Sequence, residues 1–393
     1  MKNAIHTLRI QNFKSIKDVE MKPRRVNIII GAPNVGKSNI LEAMSLLGGE
    51  WNGPPEKFMG YVLRYENLRQ LFCDNLPHTP ISVETDRDMM LLGGDYKAEL
   101  YYDYLLLPKK TYDELINSKE VAHYSGDIRA SETARALQIF PSWYTERVKN
   151  NGDPPNYLQT QLTGSGHSSD ARKLAFHGAG GYAINRPIKY YAFSKGVSHS
   201  NGLTAKVLRP PHGDNLMAVI QTHSELRKEI GRLYAHYGLK FMLRMDERRL
   251  EVIKDLDGVI YSYPYSSTAD TLQRLIFYLA AIESNDDAVI LLEEPEAHSF
   301  PVYVSQLGRR IVKSRNNQFF VATHSPYLIT EILEEMLTND ELKPELAMFV
   351  AYYEDYQTKV RQLTDDELIA VRVDGLDVFY NMARFVPGPD TDF

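Results

Sequence analysis

The chain has one cysteine, Cys73, among 393 residues. It can form no internal disulfide and no cysteine cluster for a metal, which leaves Cys73 the role of a small core residue. No apolar run approaches the length of about 18 residues that a membrane helix needs, and the opening MKNAIHTLRIQNF holds no apolar stretch followed by a small-residue cleavage site. We therefore expect a cytoplasmic chain with no membrane partner. Positive charge is not in excess: 45 Lys and Arg stand against 51 Asp and Glu, a net charge of −6. That argues against a uniformly basic nucleic-acid surface and leaves a local basic patch open. No sustained heptad pattern is present in the middle of the chain, so long coiled-coil arms are not expected, and no internal repeat is visible.

What is present fits a globular protein. With 43% hydrophobic and 24% charged residues the chain can build a packed core, and 393 residues imply two lobes or one domain with a large insertion. Leu8 to Met21 alternates around a turn at Phe13 to Ser15, predicting two short strands. Val26 to Ile30 is β-branched and ends at Gly31, predicting a buried strand. Ile40, Met44 and Leu47 then fall at helical spacing, closed by Gly48 and Gly49. From 51 to 204 tyrosines, prolines and glycines crowd in, with strands expected at Ile81 to Glu84 and Ala98 to Leu106 and loops at Thr163 to Ser169 and His177 to Gly181. We expect this segment to be an inserted α+β lobe that splits a head domain of residues 1–50 and 205–393. Strong pattern returns with a helix over Asp214 to Tyr237, a second carrying Leu272, Leu275, Ile276 and Leu279, a strand at Ala288 to Leu292, a helix at Val302 to Lys313 and a strand at Phe319 to Thr323. This alternation predicts an α/β fold with parallel strands and crossover helices.

Three motifs carry chemistry. Gly31-Ala32-Pro33-Asn34-Val35-Gly36-Lys37-Ser38 fits GxxxxGK[ST] between a predicted strand and a predicted helix, the context that pattern requires. Glycine lets the loop wrap so that backbone N–H groups meet phosphate oxygens at a helix N-terminus. Lys37 would neutralise β- and γ-phosphate charge, and the Ser38 hydroxyl would ligate Mg²⁺. The run Ala288 to Leu292 ends in Glu293 and Glu294, two carboxylates at the carboxyl end of a central strand, where open α/β sheets bind ligands. Glu293 would hold Mg²⁺ and Glu294 would orient or deprotonate the attacking water, although most P-loop enzymes carry the shorter Asp at the first position. His324 follows the next apolar strand and could donate a hydrogen bond to the γ-phosphate. Arg309, Arg310, Lys313 and Arg315, and separately Arg244, Arg248 and Arg249, form basic clusters that suit phosphate or simply a solvated face.

Taken together, LRIQNFKSIKDVEM, GAPNVGKSNILEAM, LLEEPEAHSFP and VATHSPYL resemble the ABC-type ATPases of the SMC/RecF branch, and within it the OLD-like (overcoming lysogenization defect) ATPases, over about residues 1–50 and 205–335. The resemblance implies a P-loop NTPase of ABC-ATPase type: a mixed central sheet flanked by helices, with ATP and Mg²⁺ as cofactors, and a homodimer or higher homo-oligomer whose two heads close around nucleotide. It carries over loop roles for Asn34, Val35, Gly36 and Asn39 beside Lys37 and Ser38. It makes Tyr265 to Arg274 the signature segment, with Ser267 reaching the γ-phosphate of the partner head, although the family's signature glycine is missing. Ser267 or Asp270 equally suits an N-cap of its own helix, and the two roles are compatible. The resemblance also implies that Glu296, Ala297 and His298 line the dimer interface, that Gln70 bridges metal and water, and that Lys14 and Ser15 form a turn approaching the nucleotide. Too few residues follow Ser325 for the Toprim nuclease of many relatives. The expected role is then a sensor or regulator ATPase of an anti-phage defence system acting with a separate effector, a nuclease being one candidate. The competing expectation is a RecF-like DNA repair clamp closing on duplex DNA. A compact transporter subunit fits the long middle segment worse, and intact Lys37 and Glu294 argue against a nucleotide switch that does not hydrolyse.

Overall fold

The structure, a computed structural model, describes residues 1–48, 57–94, 101–124, 131–151, 157–167, 175–177, 187–196, 206–373 and 378–386. Strands are β1 (Leu8–Phe13), β2 (Ile16–Met21), β3 (Val26–Gly31), β4 (Ile81–Thr85), β5 (Asp88–Gly94), β6 (Tyr101–Pro108), β7 (Tyr157–Thr163), β8 (Ala175–His177), β9 (Ile188–Tyr191), β10 (Lys240–Arg244), β11 (Arg249–Leu256), β12 (Val259–Pro264), β13 (Val289–Glu293), β14 (Gln318–Ala322), β15 (Leu346–Glu354) and β16 (Gln357–Gln362). Helices are α1 (Lys37–Ser45), α2 (Lys109–Ile116), α3 (Lys119–Ala122), α4 (Glu132–Asn151), α5 (Leu216–Thr222), α6 (Ser224–Ala235), α7 (Asp270–Ser284), α8 (Pro301–Lys313), α9 (Pro326–Leu337) and α10 (Asp365–Val373).

The central sheet has the order β16-β15-β3-β14-β13-β9, with five parallel strands and β16 antiparallel at one edge. Its strands are apolar on both faces, and their period of two divides them between two cores. Ile28, Ile30, Ile290, Leu292, Phe319 and Val321 face the core built with α5 to α9. Ile29, Val289, Leu291 and Phe320 face the other, built with α1 and a second sheet. This parity decides the site. Glu293 lies two residues beyond Leu291 and shares its face, so the carboxylate emerges on the side of the sheet that carries α1.

The second sheet is antiparallel, in the order β2-β1-β4-β5-β6-β7-β8. Here the structure differs from the expected inserted lobe. The described strands of residues 51–204 do not stand apart: β4 to β8 continue the sheet begun by β1 and β2, and β9 enters the central sheet beside β13. The cause is alternation. Ile81, Val83, Met90 and Leu92 face the same core as Leu8 and Ile10, while Met89, Leu91, Leu105 and Leu107 face outward onto a small core closed by α2, α3 and α4. The helix expected over Asp214 to Tyr237 is two, α5 and α6. His223 leaves helical geometry (φ −99°, ψ 104°), with a ring nitrogen 2.6 Å from the Lys206 carbonyl. The expected loops at Thr163 to Ser169 and His177 to Gly181, and Gly49, fall partly or wholly outside the described residues. No described helix is long and apolar enough to cross a membrane. Cys73 is a buried free thiol, as a core residue should be.

Candidate functional site

Strand β3 delivers the chain to Gly31, and α1 begins at Lys37. Between them Asn34 takes a positive φ of 65° at the exposed apex, and Gly36 is the left-handed N-cap (φ 94°). No side chain caps α1, which leaves its first-turn N–H groups available to an anion. A side chain at Gly36 would overlap the Thr358 hydroxyl, and one at Gly31 would overlap the Ala351 carbonyl, so both positions need glycine for close approach. Lys37 is buried, and Nζ donates to the carbonyls of Gly31 and Ala32 at 2.9 and 2.8 Å. Burial pulls its ammonium below the usual lysine range, against the attraction of Glu294 and Glu293.

The loop is braced from both sides. Thr358, on the β15–β16 hairpin, donates to the Val35 carbonyl at 2.8 Å, and its hydroxyl shares a 2.7 Å hydrogen bond with Ser15 on the β1–β2 turn. Asn39 donates to the Ser15 hydroxyl at 2.8 Å. Ser15 and Asn39 therefore support the loop from behind. Lys14, expected beside the nucleotide, instead pairs with Glu42, a carboxylate fully buried on α1. Glu42 also accepts from Arg64 Nε at 2.8 Å.

Glu293 closes this network. Its Oε1 accepts from Arg64 at 3.0 Å, its Oε2 accepts from the buried Tyr190 phenol, and the Ser38 hydroxyl lies close enough to favour the charge of the same carboxylate. Burial works against its charge, but Ser38, Tyr190 and Arg64 outweigh that and hold the carboxyl below its usual range. Burial, and then the Glu293 charge, pushes the Tyr190 phenol well above its usual value. Glu294 is left-handed at φ 42° ahead of Pro295, a conformation disfavoured before proline, and it turns the chain off the strand end. Its Oε1 lies 3.3 Å from His324 Nε2, at the end of β14. Glu296, half-buried, accepts from the Thr323 hydroxyl at 2.6 Å and the His324 N–H at 2.9 Å, which fixes the backbone that carries the histidine. The structure thus brings Lys37, Ser38, Glu293, Glu294 and His324 together at the carboxyl ends of β3, β13 and β14.

Gln70 is not among them. Its side-chain oxygen accepts the N–H groups of Glu66 and Asn67 in a capping box, so it shapes a turn instead of joining the metal pair. At the signature segment, Ser267 donates to the Pro264 carbonyl at 2.7 Å and caps no helix. The N-cap of α7 is Ala269, and Asp270 pairs with Arg274 and Lys195. Ser266, Ser267 and His298 are exposed, and the Thr271 hydroxyl donates to the His298 carbonyl at 3.2 Å, which joins the segment expected to carry the signature to the loop expected at an interface. The basic clusters are largely neutralised: Arg309 pairs with Glu331, Arg310 with Glu229 and Glu283, Arg315 with Glu345, and Arg244 with Glu247 and Glu251. Sequence reading missed Arg64, Glu42, Tyr190 and Thr358.

Burial and the Lys37 charge push the His324 imidazole below its ordinary value of 6.5, while Glu294 pulls the other way. His324 is therefore neutral, a donor and not a cation, at neutral pH, and the folded chain loses stability as pH falls through the ordinary imidazole range. In ring-proton NMR its titration is expected below that of free histidine. Glu294→Gln removes an attraction and should lower it further; Lys37→Met removes a repulsion and should raise it. A His324 titration unmoved by either change would remove the electrostatic contact inferred between them.

A family model described as "AAA ATPase domain" matches residues 1–132, and one described as "AAA domain, putative AbiEii toxin, Type IV TA system" matches residues 122–330. An ATP/GTP phosphatase of Helicobacter pylori (strain ATCC 700392 / 26695) is 22% identical over 371 residues, covering 89% of this chain and 93% of that protein. Among solved structures, an Smc head bound to the C-winged helix domain of ScpA has a TM-score of 0.45 at 14% identity, covering 93% of this chain and 99% of that one. An Smc head with an extended coiled coil, bound to the C-terminal domain of ScpA derived from Pyrococcus furiosus, has a TM-score of 0.44 at 11% identity, covering 94% and 98%.

Proposed function

We propose a role for a chain that belongs to the AAA-domain family matched over residues 122–330 and is a P-loop ATPase: it hydrolyses MgATP between two copies of itself and serves as the regulator of a defence system. The observation that carries the chemical part is the convergence of Glu294 and His324, 3.3 Å apart, beside the Lys37 loop. ATP binds with its phosphates on the first-turn N–H groups of α1 and on Lys37, and Asn34 and Val35 wrap them. Ser38 and Glu293 are adjacent hard oxygen donors suited to Mg²⁺. Among the described residues no group of three His, Cys, Asp or Glu forms a metal cage, which fits an ion that takes its other ligands from phosphate and water. When bound, Mg²⁺ supplies neutralisation of phosphate charge. Glu294 takes the proton of the attacking water, Lys37 balances charge on the γ-phosphoryl oxygens, and neutral His324 donates to one of them, yielding ADP and phosphate.

Ser267 and His298 complete the site of the partner copy. Their exposure, with their segments tied through Thr271, supports a closed pair of heads. Resemblance to OLD-like ATPases supports a separate effector and an anti-phage setting, and the matched family's description, which names a toxin of a type IV TA system, supports regulation over transport. The DNA clamp ranks below it, because the arginines that would meet a duplex are largely paired with carboxylates.

Mixing complementary variants tests the shared site. Lys37→Ala disables a site in its own chain and Ser267→Arg disables one in its partner. Each alone is expected to be inactive, while the mixture regains turnover at the one intact composite site. Full activity of Ser267→Arg alone, or no recovery on mixing, sinks the shared site. Light scattering with ATP on Glu294→Gln should report a doubled mass.

A further inference from the structure

The first carboxylate at the end of β13 is a glutamate, one methylene longer than the aspartate that most P-loop enzymes place there. A longer side chain gains a rotatable bond, and a metal ligand held loosely is a poor one. The structure shows what restrains it. Strand β9 is the neighbour of β13, in a register that sets Tyr190 opposite Leu291. Side chains alternate, so Tyr190 and Leu291 face the same core as α1, and Glu293 emerges on that face one step further along. The Tyr190 ring is buried there, with its phenol reaching forward to donate to Glu293 Oε2, while Oε1 takes Arg64. Ring packing fixes the phenol, so the hydroxyl acts as a rigid stop.

We propose that Tyr190 is a positioning residue that fits a glutamate to the metal-holding place: its phenol holds one oxygen of Glu293 so that the carboxylate stays turned toward Ser38. The inference rests on the reading of Ser38 and Glu293 as the Mg²⁺ pair. A shortened side chain would not reach the phenol, so Tyr190 and the extra methylene belong together, and Tyr190 should lose its effect where Glu293 is replaced by Asp.

The test uses the full chain with a non-hydrolysable ATP analogue and Mn²⁺ as the paramagnetic probe, with free Mn²⁺ followed by EPR. Tyr190→Phe keeps the ring and removes the hydroxyl. It is expected to weaken Mn²⁺ binding about tenfold, with analogue affinity in EDTA unchanged. Adding Tyr190→Phe to Glu293→Asp is expected to cost no further Mn²⁺ affinity. A merely structural tyrosine would lower the thermal midpoint and leave the Mn²⁺ titration where it was. Should Glu293→Gln weaken Mn²⁺ binding while Tyr190→Phe does not, or should Tyr190→Phe be as damaging with Asp as with Glu, the positioning role is overturned. Should Glu293→Gln itself leave Mn²⁺ binding unchanged, the metal pair falls and the positioning role with it.

Discussion

Glu294→Gln lowers ATP turnover by about 10²–10⁴-fold, the range lost with a general base, while ATP still binds. The substitution keeps the size of the side chain and its place beside His324, but an amide cannot take a proton from water. Glu294 is half-exposed at a left-handed turn, so losing its charge releases no buried ion and the fold should hold. Lys37→Ala separates the other half of the chemistry. Lys37 is the cation of the loop, and its removal should weaken ATP binding about 10–100-fold, as the loss of charge-assisted hydrogen bonds does. Turnover by phosphate release, beside binding by calorimetry, distinguishes the two. Glu294→Gln turning over at the wild-type rate would end the assignment of the base.

Glu42→Ala has the largest expected effect on stability. Its carboxylate is almost fully shielded from water and is held by Lys14 and Arg64, on the β1–β2 turn and the segment after α1. Deleting it leaves the largely shielded Lys14 ammonium without its carboxylate, while the exposed Arg64 keeps Glu293, at a cost of about 1–3 kcal/mol. The loss should appear as a lowered urea midpoint with an unchanged slope. Lys14→Met should be milder, because Arg64 remains on Glu42, and it should leave ATP affinity in place because its ammonium is turned to Glu42. A large change in ATP affinity with unchanged stability would return Lys14 to the nucleotide.

The nucleotide loop, the carboxylate pair and His324 were legible in the sequence because each is local: an apolar strand, then a polar motif, at spacing set by the strand and helix themselves. The parallel strands of the central sheet followed from the alternation of strands and helices, while its mixed character was implied only by the family resemblance. What escaped comes from distant segments. Thr358 lies in the polar stretch QTKVRQ, whose position is fixed only when β16 pairs with β15. Tyr190 lies in a four-residue strand, too short to show a period. Arg64 has no local pattern at all. Glu42 did carry a signal, an acid between Leu41 and Ala43 on a helix whose neighbours are buried, which demands a hidden partner. The local role of Gln70 carried a signal too, since Asn67 stands three residues before it, the spacing of a capping box. Tyr- and Gly-rich composition suggested an independent lobe, whereas the alternation of β4 and β5 sets their inward residues in the core shared with β1 and α1.

The brace on the nucleotide loop has a consequence for how the protein is made. Ser15 leaves the ribosome 343 residues before Thr358, yet their hydroxyls meet behind residues 35 and 36, with Thr358 held to the Val35 carbonyl. Until some 320 residues after the loop have been synthesised, the loop lacks one of its two supports, and loop closures of this span are slow. A nascent chain should therefore be unable to hold ATP firmly until β15 docks beside β3 and β16 pairs with β15. Competence to bind nucleotide thus waits for β16, and a chain abandoned before that strand is made is not left as a half-working ATPase.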